Sequence, residues 1–139
     1  MIYIDADNAI YGRLSTYVAK QLLYGEGVVI VNAEKVVITG TKPFLINRFK
    51  ERREIGSVRK GPAYPKTADQ ILRRSIKNML PSKTTTGKEA LRRCVVYRGK
   101  PKILEGTEFV KVDSALNHKK SGYVTLQDIT FQLGQRSIQ

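Results

Sequence analysis

The chain has 139 residues, close to the usual size of one domain, which argues against an enzyme assembled from separate cofactor and substrate domains. Hydrophobic residues make up 41% and charged residues 27%, enough apolar material for a packed core and too much for a wholly disordered polymer. With 25 Lys+Arg against 12 Asp+Glu the net charge is +13, a self-repulsion that calls for a polyanionic partner.

In chain order, Met1 to Ile4 is a short apolar run that reads as a buried strand, followed by the turn signal Asp5-Ala6-Asp7-Asn8. Leu14, Val18 and Leu22, with Ala19 and Leu23 beside them, predict an amphipathic helix from Gly12 to Tyr24 that Gly25 ends in a left-handed cap. Val28-Val29-Ile30-Val31 is a continuous β-branched run suited to an interior strand, and Val36-Val37-Ile38 repeats the pattern. Strand, helix and strand in this spacing predict a βαβ unit with a parallel sheet, hence an α/β class. A second helix is expected from Pro43 to about Ile55, with Phe44, Leu45, Ile46 and Phe49 toward the core and Arg48 and Arg52 on another face. Gly56 to Lys66 reads as an extended basic loop. Thr67 is the expected N-cap of a helix whose Ala68, Ile71, Leu72 and Ile76 form an apolar stripe opposite Arg73, Arg74 and Lys77. Pro81 should break that helix, Ser82 to Gly87 should be a polar loop, and Lys88 to Arg93 a short helix feeding a strand at Cys94 to Tyr97. Beyond Pro101, Phe109 to Val112 looks like a short strand, and Val124 to Leu133 like a helix started by Thr125.

The charge is not spread evenly. Residues 1–40 carry net −1, residues 103–139 net 0, and residues 41–102 hold 18 basic residues against four acids, net +14. The expected organisation is one domain over 1–139: a neutral βαβ core (1–40), a basic nucleic-acid-binding segment (41–102) and a neutral C-terminal segment (103–139). Nine of the 18 are arginines, whose planar forks suit phosphate oxygens and base stacking. The expected partner is RNA held by shape and phosphate contacts.

Catalytic readings have less to stand on. Asp5-x-Asp7 lies at the end of the first strand, where sheet enzymes place carboxylates and magnesium ligands, so a small magnesium-dependent phosphatase or nuclease is the alternative reading. The other acids form no second cluster, and turn hydrogen bonding explains the pair more simply. There is no Gly-x-Gly-x-x-Gly, and Gly87-Lys88 is followed by Glu89 rather than Ser or Thr, which disfavours nucleotide binding. Cys94 is the only cysteine, so an intrachain disulfide and a cysteine-based zinc site are excluded; it reads as a small core residue. His118, the only histidine, sits in a polar loop and reads as exposed. Tyr64, between Pro62 and Pro65, is the best placed tyrosine for stacking on an unpaired base. No helix-turn-helix or zinc pattern favours a DNA reader. No apolar run is long enough for a membrane span and the N-terminus lacks a signal-peptide pattern, so a cytoplasmic protein is expected.

Ser75-Ile76-Lys77-Asn78-Met79-Leu80-Pro81-Ser82-Lys83-Thr84, Gly87-Lys88-Glu89-Ala90-Leu91 and Val95-Val96-Tyr97-Arg98-Gly99-Lys100-Pro101 together resemble the signature region of the L13 family of large-subunit ribosomal proteins. Upstream, Ile4-Asp5-Ala6, Gly12-Arg13-Leu14-Ser15 and Val29-Ile30-Val31-Asn32-Ala33-Glu34 are similar to that family's N-terminal half, and Arg59-Lys60-Gly61-Pro62 resembles its archaeal and eukaryotic branch. The resemblance spans roughly residues 2–102, departing from the family pattern at Asn78 and at Thr85-Thr86. It implies an α/β/α sandwich on a small mixed, largely parallel sheet, with basic helical and loop extensions. It also implies a non-catalytic role in the large ribosomal subunit, with ribosomal RNA and neighbouring ribosomal proteins as partners, no cofactor or metal, and no obligate homo-oligomer. On the charge map, the residues expected to contact RNA are Arg48, Arg52, Arg53, Arg59, Lys60, Lys66, Arg73, Arg74, Lys77, Lys83 and Lys88.

Overall fold

The computed structural model describes residues 1–54, 65–81 and 83–133, with the backbone alone for Arg53 and Glu54. The N-terminal half builds as its pattern predicts. Strand β1 (Ile2–Asp5), helix α1 (Tyr11–Leu23) and strand β2 (Val28–Val31) form the βαβ unit, with β1 and β2 parallel in the register Ile2↔Val28 to Asp5↔Val31. Leu14, Val18, Ala19 and Leu22 are the buried stripe of α1, and Gly25 at φ +97° turns the chain out of the helix. All four residues of β2 are buried, as expected of a central strand covered on both faces.

Strand β3 (Val37–Thr39) does not join that sheet. Asn32 at φ 59° starts a single 3-10 turn (Ala33–Lys35) that redirects the chain, and β3 instead pairs antiparallel with β5 (Tyr123–Thr125) as a separate two-stranded ribbon. The parallel sheet is completed on the other side of β2 by β4 (Cys94–Val96), in the order β1-β2-β4. The architecture is thus mixed α/β on a small, largely parallel sheet. Phe109 to Val112 is not a strand: only Val110 bridges to Ile4 beside β1. Val124 belongs to β5, so the C-terminal helix is Leu126–Gln132, capped as expected by Thr125, whose Oγ1 accepts from the Asp128 N–H at 3.4 Å.

Helix α2 spans Lys42–Glu54, and its core stripe is narrower than expected: Leu45 and Phe49 are buried, Ile46 is half-buried, and Phe44 is 61% exposed. Helix α3 spans Ala68–Met79 and buries Ala68, Ile71, Leu72 and Ile76. Thr67 occupies its N-cap position without a capping side-chain bond, and Leu80 closes it in extended backbone, the conformation that the following Pro81 imposes. One buried cluster runs from Ile4 through α1, β2, α3 and β4 to Ile129, so the C-terminal segment shares the core of the N-terminal half. Ile103 and Val110 leave apolar surface outside it.

Cys94 lies inside this core at 2% exposure. Burial pushes its thiol up from 9.0 to about 11, against a lowering by the nearby Arg73 guanidinium. Because the folded value is the higher one, the thiol's contribution to stability is fully present below the unfolded pKa and is lost as pH rises through about 11. At pH 8 the thiolate fraction should be about 100-fold smaller than in the unfolded chain. Iodoacetamide labelling followed by mass spectrometry should therefore be at least that much slower without urea than with it. Equal rates would mean that β4 opens readily.

Candidate nucleic-acid interface

The turn between α3 and α4 organises the basic surface. Helix α4 spans Thr85–Arg92, starting three residues earlier than the loop-like composition of Ser82 to Gly87 suggests. The reason is its cap: the Gly87 N–H donates to Thr84 Oγ1 at 3.2 Å, while Thr84 Oγ1 and the Thr84 N–H both donate to the Pro81 carbonyl at 2.9 and 3.1 Å. Gly87 packs directly on that carbonyl, since a Cβ at this position would lie 1.9 Å from Pro81 O. The Leu-Pro and Gly-Lys-x-Ala-Leu elements of the sequence are therefore one contact. Pro81 ends α3, Gly87 lets α4 begin against it, and Ala90 is buried beneath.

This packing creates a groove of about 330 Å³ between α3 and α4, lined by Arg73 and Lys77 from one helix, Lys88 and Arg92 from the other, and Leu80, Gly87 and Leu91. Lys77, Lys88 and Arg92 are exposed; Arg73 is half-buried, its Nη2 donating to the Leu91 carbonyl at 3.2 Å. Three of the expected RNA contacts thus converge with Arg92, a residue absent from the expected set because nothing in a linear pattern pairs positions 77 and 92 across two helices.

The remaining expected residues are distributed around this groove or beyond it. Lys83 is exposed on the α3–α4 turn, Lys66 is exposed just ahead of α3, and Arg74 is half-buried on α3. On α2, Arg48 is exposed and the Arg52 guanidinium lies 5.5 Å above the Phe49 ring, a cation–π contact that holds it against the core. Arg53 belongs to the same helix. Arg59, Lys60 and the stacking candidate Tyr64 lie outside the described residues.

Not every cation of the basic segment faces outward. Arg93 Nη2 donates to the Leu22 carbonyl at 2.7 Å, placing a cation on the C-terminal end of α1, where the helix dipole favours it. Arg98 Nε lies 3.7 Å from Asp69 Oδ1. These two tie elements together. At the end of β1, Asp5 Oδ1 accepts from the Asp7 N–H at 3.0 Å and from Asn32 Nδ2 at 2.9 Å, while Asp7 Oδ2 is 4.0 Å from Lys111 Nζ. The Asp-x-Asp pair thus shapes a turn and pins the left-handed Asn32. Among the described residues no group of three His, Cys, Asp or Glu side chains is arranged to hold a metal. His118 is exposed, as its loop composition suggests.

The model of the family described as "Ribosomal protein L13" matches residues 1–103. "Large ribosomal subunit protein uL13" of Picrophilus torridus is 60% identical over 135 residues, covering 97% of this chain and 98% of the relative. This chain belongs to the ribosomal protein L13 family. Relatives of the same name from Thermoplasma acidophilum (60% identical, 96% of this chain, 98% of the relative) and Methanocaldococcus jannaschii (47%, 98% and 99%) carry the similarity through the C-terminal segment as well. The L13 family is one of ribosomal constituents and not of enzymes, which removes the phosphatase or nuclease reading of Asp5 and Asp7. Its signature region coincides with the Pro81–Gly87 contact and the groove that this contact shapes. The two departures from the L13 pattern are accommodated locally: Asn78 is exposed within α3 at helical backbone angles, and Thr85 and Thr86 form the first turn of α4.

Proposed function

We propose that this L13 protein is a structural constituent of the large subunit of the cytoplasmic ribosome, where it binds large-subunit ribosomal RNA and supports subunit assembly. The observation that carries the reading is the convergence of Arg73, Lys77, Lys88 and Arg92 on one groove held by a neutral α/β core. Exposed cations on a rigid scaffold meet RNA phosphates without reorganising, and arginine adds planar contacts. The exposed members of the basic set, Arg48, Lys66, Lys77, Lys83 and Lys88, extend the contact surface, with Arg52, Arg53, Arg59, Lys60 and Arg74 as further contributors. The neutral C-terminal segment, with Ile103 86% exposed, is the surface for neighbouring ribosomal proteins. Among the described residues no helix is long and apolar enough to cross a membrane.

The test is sedimentation of the native protein in a lysate sucrose gradient at moderate and then high salt, with RNA and protein read in each fraction. Co-migration with the large subunit at moderate salt is the expected outcome. Migration as a free 15.7 kDa species would overturn the reading.

A further inference from the structure

The groove between α3 and α4 differs from a plain phosphate-binding ridge. It is concave, about 330 Å³, at the small end of ligand pockets, and its cations surround the apolar side chains of Leu80 and Leu91. A fully paired RNA backbone offers charge to such a surface but nothing to fill an apolar hollow. Arg73, half-buried, is tethered in the groove by the bond from its Nη2 to the Leu91 carbonyl, 3.2 Å away. A guanidinium is planar, and its face is a surface on which a planar ring stacks, whereas a carboxylate prefers its edge. Gly87, in the first turns of α4, is among the residues that line the hollow.

Resting on the RNA-binding reading above, we propose that this groove receives a single nucleotide extruded from the RNA helix. The base lies against the Arg73 guanidinium, Leu80 and Leu91, and the flanking phosphates sit on Lys77, Lys88 and Arg92. The protein thereby selects a bulged site over continuous duplex without hydrogen-bond readout of the base. The occupant is a nucleotide because four cations and no acid line the groove, and because its hollow is apolar with a planar cation tethered beside it.

The experiment uses the full chain and two short RNA hairpins of identical stem, one fully paired and one with a single bulged adenosine, which is also replaced by the fluorescent base 2-aminopurine. The wild-type protein should bind the bulged hairpin about tenfold more tightly, the contribution expected of one stacked base. The 2-aminopurine emission should change to saturation as it binds. Arg73→Lys, which keeps the charge but loses the plane, should bind both hairpins equally, at the affinity of the paired one. Leu91→Ala should lose part of the preference. Should either variant melt early, the wild-type comparison decides alone. Equal wild-type affinity for the two hairpins with unchanged emission overturns the proposal and leaves RNA binding standing. Failure to bind either hairpin at low salt overturns the RNA reading itself. A glutamate-rich peptide that displaces the bulged hairpin more readily than the paired one would assign the groove to an acidic protein segment and also overturn the proposal.

Discussion

Gly87→Ala is expected to destabilise the protein by about 3 kcal/mol, lowering its melting temperature by roughly 10 °C. The sign is the informative part. Within a helix, replacing glycine by alanine normally adds up to about 1 kcal/mol of stability through propensity alone. At Gly87 the new Cβ would sit 1.9 Å from the Pro81 carbonyl oxygen and 2.6 Å from its carbon, so backbone has to move, not the tip of a flexible side chain. The same carbonyl accepts from both Thr84 donors, so displacing it also weakens the α4 cap. A thermal melt followed by circular dichroism measures the effect, with Lys88→Ala, one residue on and exposed, as a control expected within about 0.5 kcal/mol of wild type. A Gly87→Ala protein as stable as wild type would mean that α4 does not start against Pro81.

Binding to large-subunit ribosomal RNA should weaken with salt along a log–log slope of roughly −7, if about eight of the basic residues neutralise phosphates. Raising salt from 50 to 200 mM would then cost about four orders of magnitude in affinity. Replacing Lys77, Lys88 and Arg92 together with glutamine should reduce the slope to roughly −4, because each lost phosphate contact removes about 0.9. All three side chains are exposed, so the fold should survive; Arg92 in the last turn of α4 contributes about 0.5 kcal/mol at most through the helix dipole. Arg98→Gln is the contrasting variant: its guanidinium faces Asp69, so the slope should hold while stability falls slightly. Filter binding across a salt series reads both quantities. A flat slope in the wild type, or an unchanged one in the triple variant, would remove the groove cations from the RNA contact.

Much of the fold was legible in advance where local pattern and tertiary environment agree. The four-residue spacing of Leu14, Val18 and Leu22 marks α1 because one helical stripe must be buried, and the β-branched run at Val28 to Val31 marks a central strand because it is covered on both faces. Pattern misleads where a partner distant in sequence decides. Val36 to Ile38 resembles another parallel strand, yet the left-handed Asn32 and the 3-10 turn after it send this segment to Tyr123–Thr125, more than eighty residues on. Ser82 to Gly87 looks like a loop because threonine and glycine are weak helix formers, but Thr84 caps α4 and the Pro81 contact fixes where that helix begins.

The candidate site divides in the same way. The sequence alone determined that the chain carries net +13 and that the excess lies in residues 41–102, since net charge is a sum over residues and needs no geometry; the expectation of a polyanionic partner follows from that sum. Which cations are exposed only the tertiary structure decided. Arg92 and Arg93 are neighbours in sequence, yet one lines the groove and the other is held by the Leu22 carbonyl at the end of α1. The physical reason is that a helix and the cap residue after it point successive side chains about 100° apart, so the packing of α4 against α1 and α3, not residue type, sends one arginine to solvent and its neighbour into the structure.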